Sequence, residues 1–233
     1  MNDSVGKALE ERERPIKFQP AKWSSLLEQF DVQWPERPVT DAAVSEVHRS
    51  QIHALASRIP AAPADARSRW IMALFLWSQI WGYGTNGYGP HRVARILGST
   101  TRRAPIIGAQ EALASCYETI IKSGPVEAYR LMANERWVPG LGPAFLTKFL
   151  YFAGSSEGCS REASGQLTPL ILDAVVSRAV HEEYGVKYGP GWGTRRYCEY
   201  LEFMCRKARE HYRVEPDQLE RALFVVGKKL SAR

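Results

Sequence analysis

The chain predicts a mainly α fold, and three observations predict it. Apolar residues recur at helical spacing through most of its 233 residues. The period-two alternation of a half-buried strand is scarce. Residues 66–81 are apolar on nearly every side, as expected of a helix at the centre of a core. The length suits one large domain or two small lobes around a sizeable core. Lysine and arginine number 31 against 25 acidic residues, and the net charge of +6 favours a polyanionic partner without naming it. The most apolar stretch, residues 70–81, includes Ser78 and Gln79 and is too short to cross a bilayer, so no membrane partner is expected. Residues 1–15 carry charges of both signs and no apolar segment, which predicts a cytoplasmic protein. Cys116, Cys159, Cys198 and Cys205 form no paired spacing with each other or with histidine, so they read as buried or free thiols and no metal site is expected.

Along the chain, Trp23, Leu26, Leu27 and Phe30 form an i, i+3, i+4, i+7 stripe, a short helix or arm that Pro35 and Pro38 interrupt. Thr40 and Asp41 can cap a helix running through residue 56. Pro60, Pro63 and Asp65 punctuate the next junction and separate an N-terminal region, 1–65, from a main domain, 66–233. After the helix at 66–81, Gly82, Gly84, Gly87 and Gly89 are interleaved with Tyr83, Asn86 and Tyr88, a loop able to lie close to a ligand. Pro90 then leads into the basic segment 91–95. Residues 109–122 read as an amphipathic helix ended by Ser123-Gly124-Pro125, and 126–134 as the next, feeding into Val138-Pro139-Gly140-Leu141-Gly142. Trp137, Val138 and Pro139 predict that this turn is rigid and packed. Thr168-Pro169 has the form of a cap and first-turn proline, so Asp173 stands either before or within a helix that runs to 183. Tyr197, Tyr200, Leu201, Met204 and Ala208 share one face of a helix over 194–212. Asp217 opens the last helix, with Leu219, Leu223 and Val226 on its apolar side.

Two glycines one residue apart ahead of a helix allow a tight turn whose N–H groups can meet a phosphate oxygen, so Val138, Gly140, Leu141 and Gly142 are candidate DNA-backbone contacts. An ordinary turn between two helices has the same pattern. Asp173 lies among Leu170, Ile171, Leu172, Ala174, Val175 and Val176, where a carboxylate must be capped, paired or used. Capping and chemistry are compatible, because a helix N-terminus favours the ionised form. Such an anion stabilises the positive sugar that develops when a base–sugar bond breaks. Lys148, within an apolar helix, is either a lysine snorkelling to solvent or a partly desolvated amine that acts as nucleophile or as a cation for phosphate or base. Tyr88, His91 and Arg92 follow glycines in an exposed turn, as DNA contacts or as a solvated basic turn. Tyr188, Trp192, Arg195 and Arg196 form a second such patch. Trp81, Tyr83 and Trp192 are candidates for stacking an extruded base.

Taken together, Trp81-Gly82-Tyr83-Gly84, Tyr88-Gly89-Pro90, Val138 to Pro143, Phe145 to Phe152 and Ile171-Leu172-Asp173 resemble the bacterial DNA glycosylases of 8-oxoguanine glycosylase fold, over about residues 66–230. The resemblance implies a two-lobed helix-hairpin-helix fold, mainly α, with the active site in the cleft between lobes. It implies a monomer that acts on double-stranded DNA, flips a modified base into the cleft and cuts the glycosidic bond. Asp173 occupies the position of the catalytic aspartate, the glycine hairpin that of the backbone-binding element, and 88–92 that of the strand-inserting loop. In lyase members a Schiff-base lysine stands two residues after the last hairpin glycine, where this chain has Ala144. Lys148 is one turn later, which favours a hydrolase that leaves an abasic site over a β-lyase. No metal or organic cofactor is implied, although a monovalent cation at the hairpin is compatible with it. The chain is also similar to phage-defence glycosylases that remove glucosylated hydroxymethylcytosine, and its aromatic, hydroxyl-bearing loop suits a bulky sugar substituent better than a compact slot does. An 8-oxoguanine repair enzyme and a non-catalytic DNA-binding module are the alternatives.

Overall fold

A computed structural model describes residues 4–32, 44–98, 108–154, 167–188 and 193–231. Its helices are α1 (Ser4–Glu10), α2 (Ser24–Gln29), α3 (Arg49–Arg58), α4 (Ala64–Tyr83), α5 (Gly89–Ile96), α6 (Ala109–Ser123), α7 (Pro125–Arg130), α8 (Pro143–Ala153), α9 (Ala174–Tyr184), α10 (Thr194–Lys207) and α11 (Pro216–Ser231). Wide turns extend α7 over Leu131–Glu135 and α10 over Ala208–Tyr212. The mainly α expectation therefore holds, and the apolar run at 66–81 lies in the longest of these helices, with Leu74, Phe75, Leu76 and Ile80 fully buried.

Two sequence expectations need correction. The helix proposed to run from Thr40-Asp41 through residue 56 starts only at Arg49, and Ser45–Val47 is instead a strand, β2, antiparallel to β1 (Ile16–Phe18). Burying Phe18 (opposite Ser45) and Val47 (opposite Ile16) on the same face of the ribbon outweighs local helical preference. Thr40 and Asp41 themselves lie outside the described residues, as do Cys159, the polar loop at 158–166 and Trp192. Thr168-Pro169 does not open a helix, because residues 167–173 run without regular structure and α9 begins after Asp173. Side chains from neighbouring helices hold that stretch: Tyr197 Oη donates to Leu170 O at 3.1 Å and Tyr200 Oη to Ile171 O at 2.8 Å. Thr147 Oγ1 accepts from Leu172 N–H at 3.0 Å. These bonds supply buried backbone groups with partners that a helix would have given internally.

One apolar core runs through the chain, joining Val5, Phe18, Trp23 and Leu27 of the N-terminal region to Phe75, Phe149, Leu172, Tyr200 and Leu223. The Trp23, Leu26, Leu27 stripe is buried as its spacing implies. α11 is central to the packing, lying against α1, α9 and α10. Its Gly227 crosses the first turn of α9 so closely that a Cβ there would stand 2.3 Å from Val175 O. Among the described residues no helix is long and apolar enough to cross a membrane.

Candidate active site

Asp173 is the N-cap of α9. With β-region backbone angles, its Oδ1 accepts from Val175 N–H at 2.9 Å and Val176 N–H at 3.0 Å. The cap uses one carboxylate oxygen and leaves the other, Oδ2, 3.4 Å from Lys148 Nζ. Lys148 also donates to Ala144 O, one turn back along α8, at 3.0 Å. Both side chains are 13% exposed, so the pair is mostly withdrawn from water yet open on one side. Thr147, next to Lys148, bonds to Leu172 and so fixes α8 against the strand of chain that carries Asp173. The two residues singled out for chemistry thus meet across 25 positions of sequence.

The open side is a cavity of about 450 Å³, lined by Lys148 and Asp173 and by Trp81, Tyr83, Arg49 and Glu220. Trp81 and Tyr83, two of the three proposed base-stacking residues, therefore reach the same space. Gly82 between them is where Lys148 passes: a Cβ at 82 would fall 2.6 Å from Lys148 Cδ. Tyr83 rests against Phe145, its buried hydroxyl lacks a hydrogen-bond partner among the described residues, and burial pushes that hydroxyl up to about 12. Remaining walls come from the N-terminal stretch 11–17 and from α11, through Arg221, Phe224 and Lys228.

Sequence reading did not identify Arg49 or Glu220. The Arg49 guanidinium lies 5.0 Å from the ring centres of both Trp81 and Tyr151. It donates to Glu13 Oε1 at 2.8 Å and to Tyr151 Oη at 2.8 Å. Glu220 is 2% exposed, and its Oε2 sits 3.8 Å from Arg49 Nη1 with no hydrogen-bond partner among the described residues. Burial pushes its carboxyl up to about 8 against the opposing pull of Arg49. A signal was present: Glu220 falls on the same helical face as Leu219, Leu223 and Val226, where a carboxylate is out of place.

The proposed DNA-backbone residues lie apart from the cavity lining. Gly140 has φ of +85°, which glycine tolerates, and its α-carbon approaches Ile96 of α5 so closely that a Cβ would stand 3.3 Å from Ile96 Cγ1. Arg92, in the first turns of α5, lies 4.8 Å over the Phe145 ring at the start of α8. Hairpin and basic segment are thereby neighbours. His91 and Arg92 are exposed, and exposed Tyr88 lies against His91, but they belong to or adjoin a short helix rather than an open turn, since Gly89-Pro90 starts α5. The hairpin N–H groups are less available than expected, because Leu141 N–H is bonded to Val138 O and Gly142 N–H to Gly140 O. Val138 and Leu141 are buried, whereas Trp137, expected to pack, is 65% exposed. Tyr188 is likewise no part of a surface patch, being buried with its carbonyl accepting from Ser177. No group of three His, Cys, Asp or Glu side chains able to hold a metal occurs among the described residues.

A family model described as "Putative 8-oxoguanine DNA glycosylase OGG-like protein" matches residues 10–224. No curated protein and no solved structure matches the chain. The family match spans every cavity residue named above except Lys228, and the chain belongs to the OGG-like DNA glycosylase family.

Proposed function

We propose that the protein is a monofunctional DNA glycosylase that hydrolyses the bond between a modified base and deoxyribose, leaving an abasic site. The carrying observation is the Lys148–Asp173 pair at 3.4 Å on the wall of a cavity large enough for an extruded base. In this reading the cavity is the cleft between two lobes. Asp173, fixed by two backbone N–H groups, presents Oδ2 to the positive charge that grows on the sugar. Lys148 orients that oxygen and offers a positive charge to the DNA. An ammonium engaged with both Asp173 and Ala144 O has no lone pair for attack, which favours water as the nucleophile. The hairpin, α5 and exposed Trp137 form the face for the duplex backbone, with a phosphate at the N-terminus of α8.

The substrate proposed is glucosylated hydroxymethylcytosine, as in modified phage DNA, which would make the protein a defence enzyme. A cavity of about 450 Å³ falls in the range of sites for drug-sized ligands, roughly 300–1,000 Å³. Its charged wall of Glu11, Arg12, Glu13 and Arg49 offers the hydrogen-bonding groups a sugar needs. The second reading, excision of 8-oxoguanine, is favoured by the description of the matched family.

Base release measured by mass spectrometry separates these readings, using matched duplexes with glucosylated hydroxymethylcytosine, 8-oxoguanine or ordinary bases. The expected result is release of the glucosylated base alone, lost in Asp173→Asn while duplex binding persists. Undiminished release by Asp173→Asn sinks the mechanism.

A further inference from the structure

We propose that Glu220 is the acid of this site, handing its carboxyl proton to the extruded base as the bond to the sugar breaks. The inference rests on the glycosylase reading, and it begins from an oxygen with nothing to do. Oε2 of Glu220 is buried on the cavity wall without a hydrogen-bond partner among the described residues. Arg49, the cation nearest to it, spends Nη1 on Tyr151 and Nε on Glu13, and stays 3.8 Å away. A buried polar atom left unsatisfied is costly, and in a substrate cavity that cost is relieved when a ligand supplies the missing partner. A flipped base, edged with ring nitrogens and exocyclic groups, is such a partner.

The surroundings hold Glu220 in the form the step requires. Burial dominates and moves its carboxyl up to about 8. Arg49 of α3 and Lys148 of α8 act in the opposite sense, while Asp173 at the head of α9 and Asp217 on α11 itself add to the rise. Tyr200 of α10 also faces it, with a hydroxyl engaged by Ile171 O and pushed far up by its own burial. Asp173 and Glu220 thus differ in their bonding: Asp173 Oδ1 accepts two backbone N–H bonds, whereas Glu220 Oε2 accepts none.

In the step, the C1′–N bond breaks and its electron pair leaves with the base. The proton of Glu220 passes to a ring nitrogen or keto oxygen of that base, which departs neutral, while Glu220 becomes a carboxylate facing Arg49. Asp173 stabilises the sugar cation, water adds to C1′ and loses its proton to solvent, and Glu220 is reprotonated from solvent. This acid is distinct from Lys148 and Asp173, which act on the sugar side.

The test uses the full chain under single-turnover conditions, with pH–rate profiles of base release for the parent, Glu220→Gln and Glu220→Ala on the three duplexes above. Glutamine keeps a hydrogen bond to the base but cannot surrender a proton. Expected are a parental rate that falls as pH rises past about 8, where Glu220 ionises, and a Glu220→Gln rate lower by at least about 100-fold at unchanged duplex affinity. The alkaline fall should vanish in Glu220→Gln. Infrared difference spectra between parent and Glu220→Gln should show a protonated carboxyl at neutral pH that disappears in alkali; a carboxylate signal at neutral pH overturns the proposal. Parental release with Glu220→Gln equally fast also overturns it and leaves the glycosylase reading standing, whereas no release by the parent overturns both.

Discussion

Gly82 decides where Lys148 can lie. The lysine stem crosses its α-carbon, and a methyl group placed there would come within 2.6 Å of Cδ and 2.7 Å of Cε. Gly82→Ala should therefore displace the ammonium from Asp173 while leaving the fold almost unchanged, because a long side chain yields more easily than backbone. A base-release rate lowered at least tenfold, about 1.4 kcal/mol in the barrier, with a thermal midpoint near the parent's would show it; a parental rate would refute it. Asp173 and Lys148 were legible in the sequence because each is a charge set among apolar neighbours within a single segment. Glu220 stands between Leu219 and Arg221 in the charged first half of α11, so its sequence neighbours do not mark it and only its helical face does. Arg49 left no trace at all: its role depends on Trp81, Tyr151, Glu13 and Glu220 arriving from four distant places.

The helices that position the site were visible as elements because each carries its own periodicity and stop signal, as with Gly124-Pro125 between α6 and α7. The β1–β2 ribbon was not, since three residues on each side give no alternation to read and the pairing joins positions about thirty apart. How closely elements approach was also hidden until glycines could be placed in space. Gly227 lets α11 lie against the Val175 carbonyl in the first turn of α9, two residues beyond Asp173. Gly227→Ala must push these helices apart, since the obstacle is backbone, and overpacking of this kind costs roughly 1–3 kcal/mol. Chemical denaturation should record that loss, and the catalytic rate should fall with it as Asp173 moves relative to Glu220. An unchanged denaturation midpoint would mean that the crossing is looser than its geometry implies.

For the molecule as a whole, a carboxyl moved upward from 4.5 to about 8 ties stability to pH. Between those values the folded chain holds a proton that the unfolded chain has released, so stability declines as pH rises through that window. Urea midpoints should fall from pH 5 to pH 9 in the parent, and Glu220→Gln should flatten that slope. A parental curve that rises over the same range would contradict it. The family match starts at residue 10 and, among the described residues, one core runs from Val5 to Val226, so the N-terminal region packs with the rest, and its Glu13 holds Arg49 from outside the segments that carry the glycine motifs. Asp173 carries two duties on one side chain, starting α9 and, in the proposed mechanism, steadying the sugar cation. Asparagine caps helices about as well as aspartate, and the codons of the two differ by a single base. In the proposed mechanism, one base change in the gene therefore turns an enzyme that excises a base into a folded sentinel that grips the same DNA and leaves its bases in place.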